Sequence, residues 1–278
     1  MIFAALTFPV YFYLGPLRLH PHPVMEAIAY GLGLYLGLFR RLKNDVDSDV
    51  QTSNLQRSDS QLTVSQRTSV SIGALLGALA GAKLLVLFQH VNLLMEDWRL
   101  FVLVALQGKT IVGALLGGLA GVEITKKRIC VQRSTGDSFV FSVMVGMAIG
   151  RVGCFLTGLS DRTYGIATTL PWGVDFGDGI TRHPTQLYEV GFLLVLIVWL
   201  RWQSKHAPRE GDLFKIFMVA YFSFRFLVDF IKPEFRPLLG LSAIQMACVG
   251  GLIYYRKDII RLSRAMVLGL GSEKGKSR

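Results

Sequence analysis

Residues 139–158 read FVFSVMVGMAIGRVGCFLTG, twenty residues in which Arg151 is the one charge. An apolar stretch of about 20 residues matches the hydrocarbon core of a bilayer. A guanidinium near such a stretch costs about 2.5–3.5 kcal/mol on insertion scales, so it is kept for a purpose. Working outward, the same reading gives seven candidate spans, at 24–39, 71–88, 110–124, 139–158, 190–202, 213–230 and 241–255. The third, fifth and seventh are the weakest and borrow flanking residues. The chain is 51% hydrophobic and 18% charged over 278 residues, with unbroken apolar runs in place of soluble helix-face alternation. The expected fold is an all-α integral membrane protein of about seven transmembrane helices.

The net charge of +11 lies in short clusters between the runs. That distribution suits anionic lipid headgroups and membrane topology; no basic stripe with interleaved aromatics marks a nucleic-acid surface, so nucleic acid is set aside. Segments 40–70, 125–138, 201–211 and 256–278 hold nineteen Lys and Arg, against seven in the N-terminus to 20, 89–110, 159–189 and 231–240. The asymmetry predicts an outer N-terminus, a cytoplasmic C-terminus and an outward loop at 159–189. Three parts are expected: an interfacial segment over 1–23, a transmembrane domain over 24–256, and a basic cytoplasmic tail over 257–278. The N-terminal segment lacks a positive n-region and a small-residue cleavage site, and reads as retained. A Ser/Asp/Gln/Thr-rich stretch at about 43–69 reads as a disordered cytoplasmic loop. Cys130, Cys154 and Cys248 form no CxxC pair; they suggest neither a disulfide framework nor a zinc site, and no metal or cofactor is expected.

Glycines recur every fourth residue at Gly73, Gly77 and Gly81, and again at Gly113, Gly117 and Gly121. Such faces let helix backbones approach closely. An inverted-repeat transporter is the functional alternative, but the echo does not extend beyond these segments. Tyr221, Arg225 and Asp229 follow at i, i+4 and i+8 and share one helical face, as a buried ion pair or as part of a site. Arg151 has no carboxylate one turn away, and an anionic ligand fits its fork. The 159–189 loop, dense in Gly, Pro and Trp, predicts a compact interfacial segment. Thr185 is a helix N-cap candidate. His183, with Arg182, Gln186 and Glu189 nearby in sequence, is a candidate holder of a proton.

Gly150-Arg151-Val152-Gly153-Cys154-Phe155-Leu156-Thr157-Gly158, Pro171-Trp172 and Arg182-His183-Pro184-Thr185-Gln186-Leu187-Tyr188-Glu189 together resemble the signature region of the prolipoprotein diacylglyceryl transferase family. The similarity continues at Tyr221 and Phe224-Arg225-Phe226-Leu227-Val228-Asp229, and at Gly81-Ala82-Lys83. It covers most of the chain from about Pro21 to Tyr255. The resemblance implies a bacterial cytoplasmic-membrane enzyme. Such an enzyme moves the diacylglyceryl group of phosphatidylglycerol onto the lipobox cysteine thiol of a preprolipoprotein, with glycerol phosphate leaving and no cofactor.

By that resemblance Arg151 and Arg225 hold the phosphate and offset leaving-group charge. His183, Glu189 and Asp161 are the candidates for deprotonating the thiol. Lys83, Lys109, Gly153, Cys154, Arg182, Gln186, Tyr188, Tyr221 and Asp229 are the expected substrate-binding residues. The chain departs from the family at three places. Lys109-Thr110-Ile111 stands where the family begins its third span with His-Gly-Gly-Leu; Cys154 replaces an asparagine; and Leu159 stands at the position of an acid, with Asp161 two residues on. Another acceptor, or a noncatalytic lipid-binding role, is the alternative these departures leave.

Overall fold

Glycine at every fourth position decides how two of the helices meet. In the computed structural model, which describes residues 7–33, 35, 63–204, 209–236 and 239–264, α2 (Val64–Gln89) and α5 (Ile111–Arg128) pack along these glycines. The register is antiparallel: a Cβ added to Gly73 would meet the Gly121 carbonyl, one on Gly77 the Gly117 carbonyl, and one on Gly81 the Gly113 carbonyl. Gly118, off this seam, has its nearest neighbour at 3.5 Å. The near-repeat is therefore one close-packed helix pair seen from both sides.

The described residues divide into two units. One comprises 63–132, 215–229 and 234–264, and holds α2, α3 (Val91–Glu96), α4 (Trp98–Gln107), α5, most of α8 (Asp212–Val228) and α9 (Ala243–Tyr254). Thr63 caps α2 through a reciprocal pair with Gln66, at 3.2 and 3.0 Å. Ser242 and Gln245 cap α9 in the same way; each pair meets two of the otherwise orphaned N–H donors. Asp97 accepts from Arg99 and Leu100 at the start of α4. Lys126, Lys127 and Arg128 close α5 with charge that suits a helix C-terminus.

The other unit, described over 7–33, 35, 133–204, 209–214 and 230–233, begins with a hairpin, β1 (Phe12–Leu14) against β2 (Leu17–Leu19). It holds α1 (21–33), α6 (Val140–Thr157) and α7 (Thr185–Gln203). Gly158, at φ +71°, turns the chain out of α6 and into a short 3-10 turn, Gly158–Asp161. The 159–189 loop is ordered by β3 (Val174–Asp175) pairing with β4 (Thr181–Arg182), and by Asp175, which accepts from the amides of Gly177, Asp178 and Gly179. Phe8, Phe155 and Phe176 stack edge to face beneath it, with centroids 5.1–5.9 Å apart.

Among the described residues three helical stretches, Val64–Gln89, Val140–Asp161 and Thr185–Gln203, are long and apolar enough to cross a membrane; α4 and α5, bent by 67°, make a fourth if taken as one span. Leu75, Leu76 and Leu79 on α2 stand 58–61% exposed, a surface suited to hydrocarbon. The chain is a mostly helical membrane protein, and the two short hairpins β1–β2 and β3–β4 depart from the all-α expectation. Some boundaries differ from expectation. Residues 64–69, read as loop, are helical because the Thr63–Gln66 cap starts α2 early, whereas 43–62 lie outside the described residues. The 89–110 stretch, read as a connection, is mostly helix. Residues 257–264 of the expected tail are helical as well, and 265–278 lie outside the described residues.

Candidate active site

Arg151 sits on α6, six residues before the helix ends at Thr157, and its guanidinium is buried. Its partner comes from α7: Nε lies 2.9 Å from Oε2 of Glu189, which is buried as well. The sequence reading assigned the arginine no partner because helical periodicity relates only residues of one helix. Taking two charges out of water costs several kcal/mol each, which their mutual attraction offsets only in close contact. On its other side, Arg151 Nη1 stands 4.0 Å from the sulfur of Cys154.

Around that sulfur the chain collects further polar groups. His22, near the start of α1, places Nδ1 at 3.1 Å from Asp161 Oδ1 and turns Nε2 toward Glu26 at 3.8 Å. One ligand atom each of His22, Cys154 and Asp161 lies within 4.8 Å of the others. Gly153 makes this possible: a Cβ there would stand 2.7 Å from Met25 Cβ and 3.8 Å from His22 Cα, so a larger residue would hold α1 away. The Asp161 carboxylate, and after it Cys154, hold the His22 imidazole, ahead of the first apolar run, up at about 10, against the effect of burial. The string continues from Asp161 Oδ2, which accepts from the Thr163 hydroxyl at 2.5 Å, to Gln186 Nε2, which donates to Thr163 Oγ1 at 3.1 Å. Gln186 Oε1 is buried and has no hydrogen-bond partner among the described residues.

Other expected site residues lie elsewhere. His183 Nδ1 is 3.0 Å from the Tyr188 hydroxyl, to which Trp172 Nε1 donates at 2.9 Å. It therefore belongs to an aromatic group of the loop. Arg182 grips both oxygens of Asp178, at 2.6 and 2.7 Å, and lies over the Tyr164 ring. That guanidinium holds the Asp178 carboxyl below its usual range. Thr185 is the first residue of α7; Pro184 takes the cap position, and the Thr185 hydroxyl donates to the Thr163 carbonyl at 2.6 Å.

In the unit of α2, α5 and α9, Tyr221, Arg225 and Asp229 are all buried. Arg225 Nη2 is 3.2 Å from Asp229 Oδ1, and Asp229 Oδ2 accepts from Ser242. Arg225 Nη1 is buried with no hydrogen-bond partner among the described residues. Lys83 directs its ammonium at the carbonyls of Ala105, Leu106 and Gly108, 3.3, 2.5 and 2.8 Å away. Three donors meet three acceptors at the end of α4. Lys109 is exposed in the turn before α5.

The sequence reading missed His22 and Glu26. The signal lay in Gly153 beside Cys154, a small residue where a second helix comes close.

Residues 9–256 match the family model described as prolipoprotein diacylglyceryl transferase. The chain is 30% identical to the phosphatidylglycerol–prolipoprotein diacylglyceryl transferase of Bordetella bronchiseptica, over 84% of this chain and 86% of that one. It is 29% identical to the enzyme of the same name from Pseudoalteromonas atlantica, over 97% and 90%, and 29% identical to that from Actinobacillus pleuropneumoniae, over 81% and 80%.

Proposed function

The chain belongs to the prolipoprotein diacylglyceryl transferase family, and from that premise we propose the reaction it performs. It transfers the diacylglyceryl group of phosphatidylglycerol to the thiol of a prolipoprotein cysteine within the lipobox, in bacterial lipoprotein maturation. The thiolate sulfur attacks the glyceryl carbon, that carbon's bond to the phosphate oxygen breaks, and glycerol phosphate departs.

The observation that carries the assignment of roles is Arg225 Nη1, a buried cationic donor without a protein acceptor among the described residues. An unmet donor of that kind is costly in an apolar interior and suits a phosphate oxygen. Asp229 holds the guanidinium in place and leaves that N–H for the lipid. Arg151, set by Glu189, is a second buried guanidinium of the kind that offsets phosphate charge. Glu189 and Asp229 are positioning residues in this account.

The seven-span arrangement, with the N-terminus and the 159–189 loop outside and the 257–278 tail in the cytoplasm, is part of the proposal, as is residence in the bacterial inner membrane. It rests on the Lys and Arg asymmetry of the loops. Complementation tests the function: a bacterial strain depleted of its own transferase should regain growth and modified lipoproteins when it expresses this chain. A strain that stays arrested with the chain inserted in its membrane overturns the reading.

A further inference from the structure

We propose that His22, Cys154 and Asp161 form a divalent transition-metal site, zinc foremost, whose open position binds the acceptor thiolate. The acceptor in this inference rests on the transferase reading above; the metal rests on geometry. A tetrahedral zinc with bonds of about 2.0–2.3 Å sets its ligands about 3.3–3.8 Å apart. His22 Nδ1 and Asp161 Oδ1 are 3.1 Å apart, and one donor atom of each of the three residues falls within 4.8 Å of the others. Imidazole, thiolate and carboxylate are ligands zinc takes, and three protein ligands leave a fourth position for a reacting group.

The surroundings are those of a metal ligand set. His22 Nε2 faces Glu26 Oε2 at 3.8 Å, longer than a hydrogen bond, and in the proposed site a small ring movement gives it the carboxylate partner a ligating imidazole takes. Thr163 occupies Asp161 Oδ2 and leaves Oδ1 facing His22. Arg151 Nη1 stands 4.0 Å from the Cys154 sulfur and fixes one side of it. The His22 and Asp161 side chains keep 26% and 11% of their surface exposed, which leaves an approach for a fourth ligand.

Such a site supplies what a histidine base would. Lys109-Thr110-Ile111 contains no base of that kind, and a thiol bound to zinc is deprotonated outright. The acceptor thiol yields its proton to water on binding. Its sulfur then forms the bond to the glyceryl carbon while the carbon–oxygen bond to phosphate breaks. The electron pair leaves with the phosphate monoester, which takes its proton from water. Zinc remains Zn2+ throughout.

The full chain, purified in detergent, stripped by a chelator and titrated with Zn2+ alone, tests the site. One zinc per chain is expected. Co2+ in its place should give a thiolate-to-metal charge-transfer band. Cys154→Ser and Asp161→Asn should lose both. Cys154→Asn, the residue the family carries there, provides a second variant should the serine protein misfold. Glu26→Gln should bind zinc about tenfold more weakly. A folded chain that takes up no zinc, or takes it up equally without Cys154, overturns the site. Transfer at the untreated rate after complete chelation removes the metal from the reaction and leaves the transferase reading standing. Zinc held at these residues with no transfer in its presence or absence overturns the transferase reading and leaves the site.

Discussion

Arg225 was legible from sequence because its partner lies on the same helix. Helical spacing alone sets Tyr221, Arg225 and Asp229 on one face, and the structure buries all three. Arg151 was legible as a charge that needed a partner, but Glu189 was not legible as that partner, since the contact joins two helices. His22 was less visible still: its approach to Cys154 depends on a missing side chain at Gly153, and an absence carries no periodicity. Arg225→Lys keeps the charge and loses the fork. The protein should still insert, and transfer should fall roughly tenfold to a hundredfold, the equivalent of about 1.5–3 kcal/mol for a charge-assisted bond. Turnover near the parent rate in that variant would remove the phosphate role of Nη1. Arg182 differs, because it spends its fork on Asp178 and the Ile180 carbonyl and lies over the Tyr164 ring. Arg182→Ala should therefore lower the melting temperature in detergent through lost packing as well as lost charge; an unchanged melting temperature contradicts this description.

At the scale of elements, apolar run length was a sound guide to helices. Apart from Thr110, Phe139, Leu241, Ser242 and Tyr255 at their ends, the described parts of the seven apolar runs are helical, and three or four of the helices are long enough to span. Their ends were less readable because caps and turns set them, as Thr63 and Gln66 do by starting α2 ahead of its apolar run. The α3–α4 segment escaped the reading because Glu96, Asp97 and Arg99 break its hydropathy into pieces too short for a span. The glycine seam between α2 and α5 yields a test of packing. Gly77→Val drives a branched side chain into the Gly117 backbone and should destabilise the protein by about 1–3 kcal/mol. Gly118→Ala, which meets its first neighbour at 3.5 Å, should be neutral or slightly stabilising. Equal melting temperatures for the two variants would show that the seam does not hold these helices together.

For the whole molecule, family membership from residue 9 to 256 joins a membrane scaffold to one kind of chemistry, and the departures at Cys154 and Lys109 bear on how the thiol is activated. Each of the two units holds a buried guanidinium set by an acid, Arg151 by Glu189 in one and Arg225 by Asp229 in the other. The most direct measurement uses membranes containing the full chain, labelled phosphatidylglycerol and a lipobox peptide. The account predicts a diacylglyceryl thioether on the peptide's cysteine, with glycerol phosphate released in equal amount. An unmodified peptide, in an assay where a conventional member of the family works alongside, would contradict it.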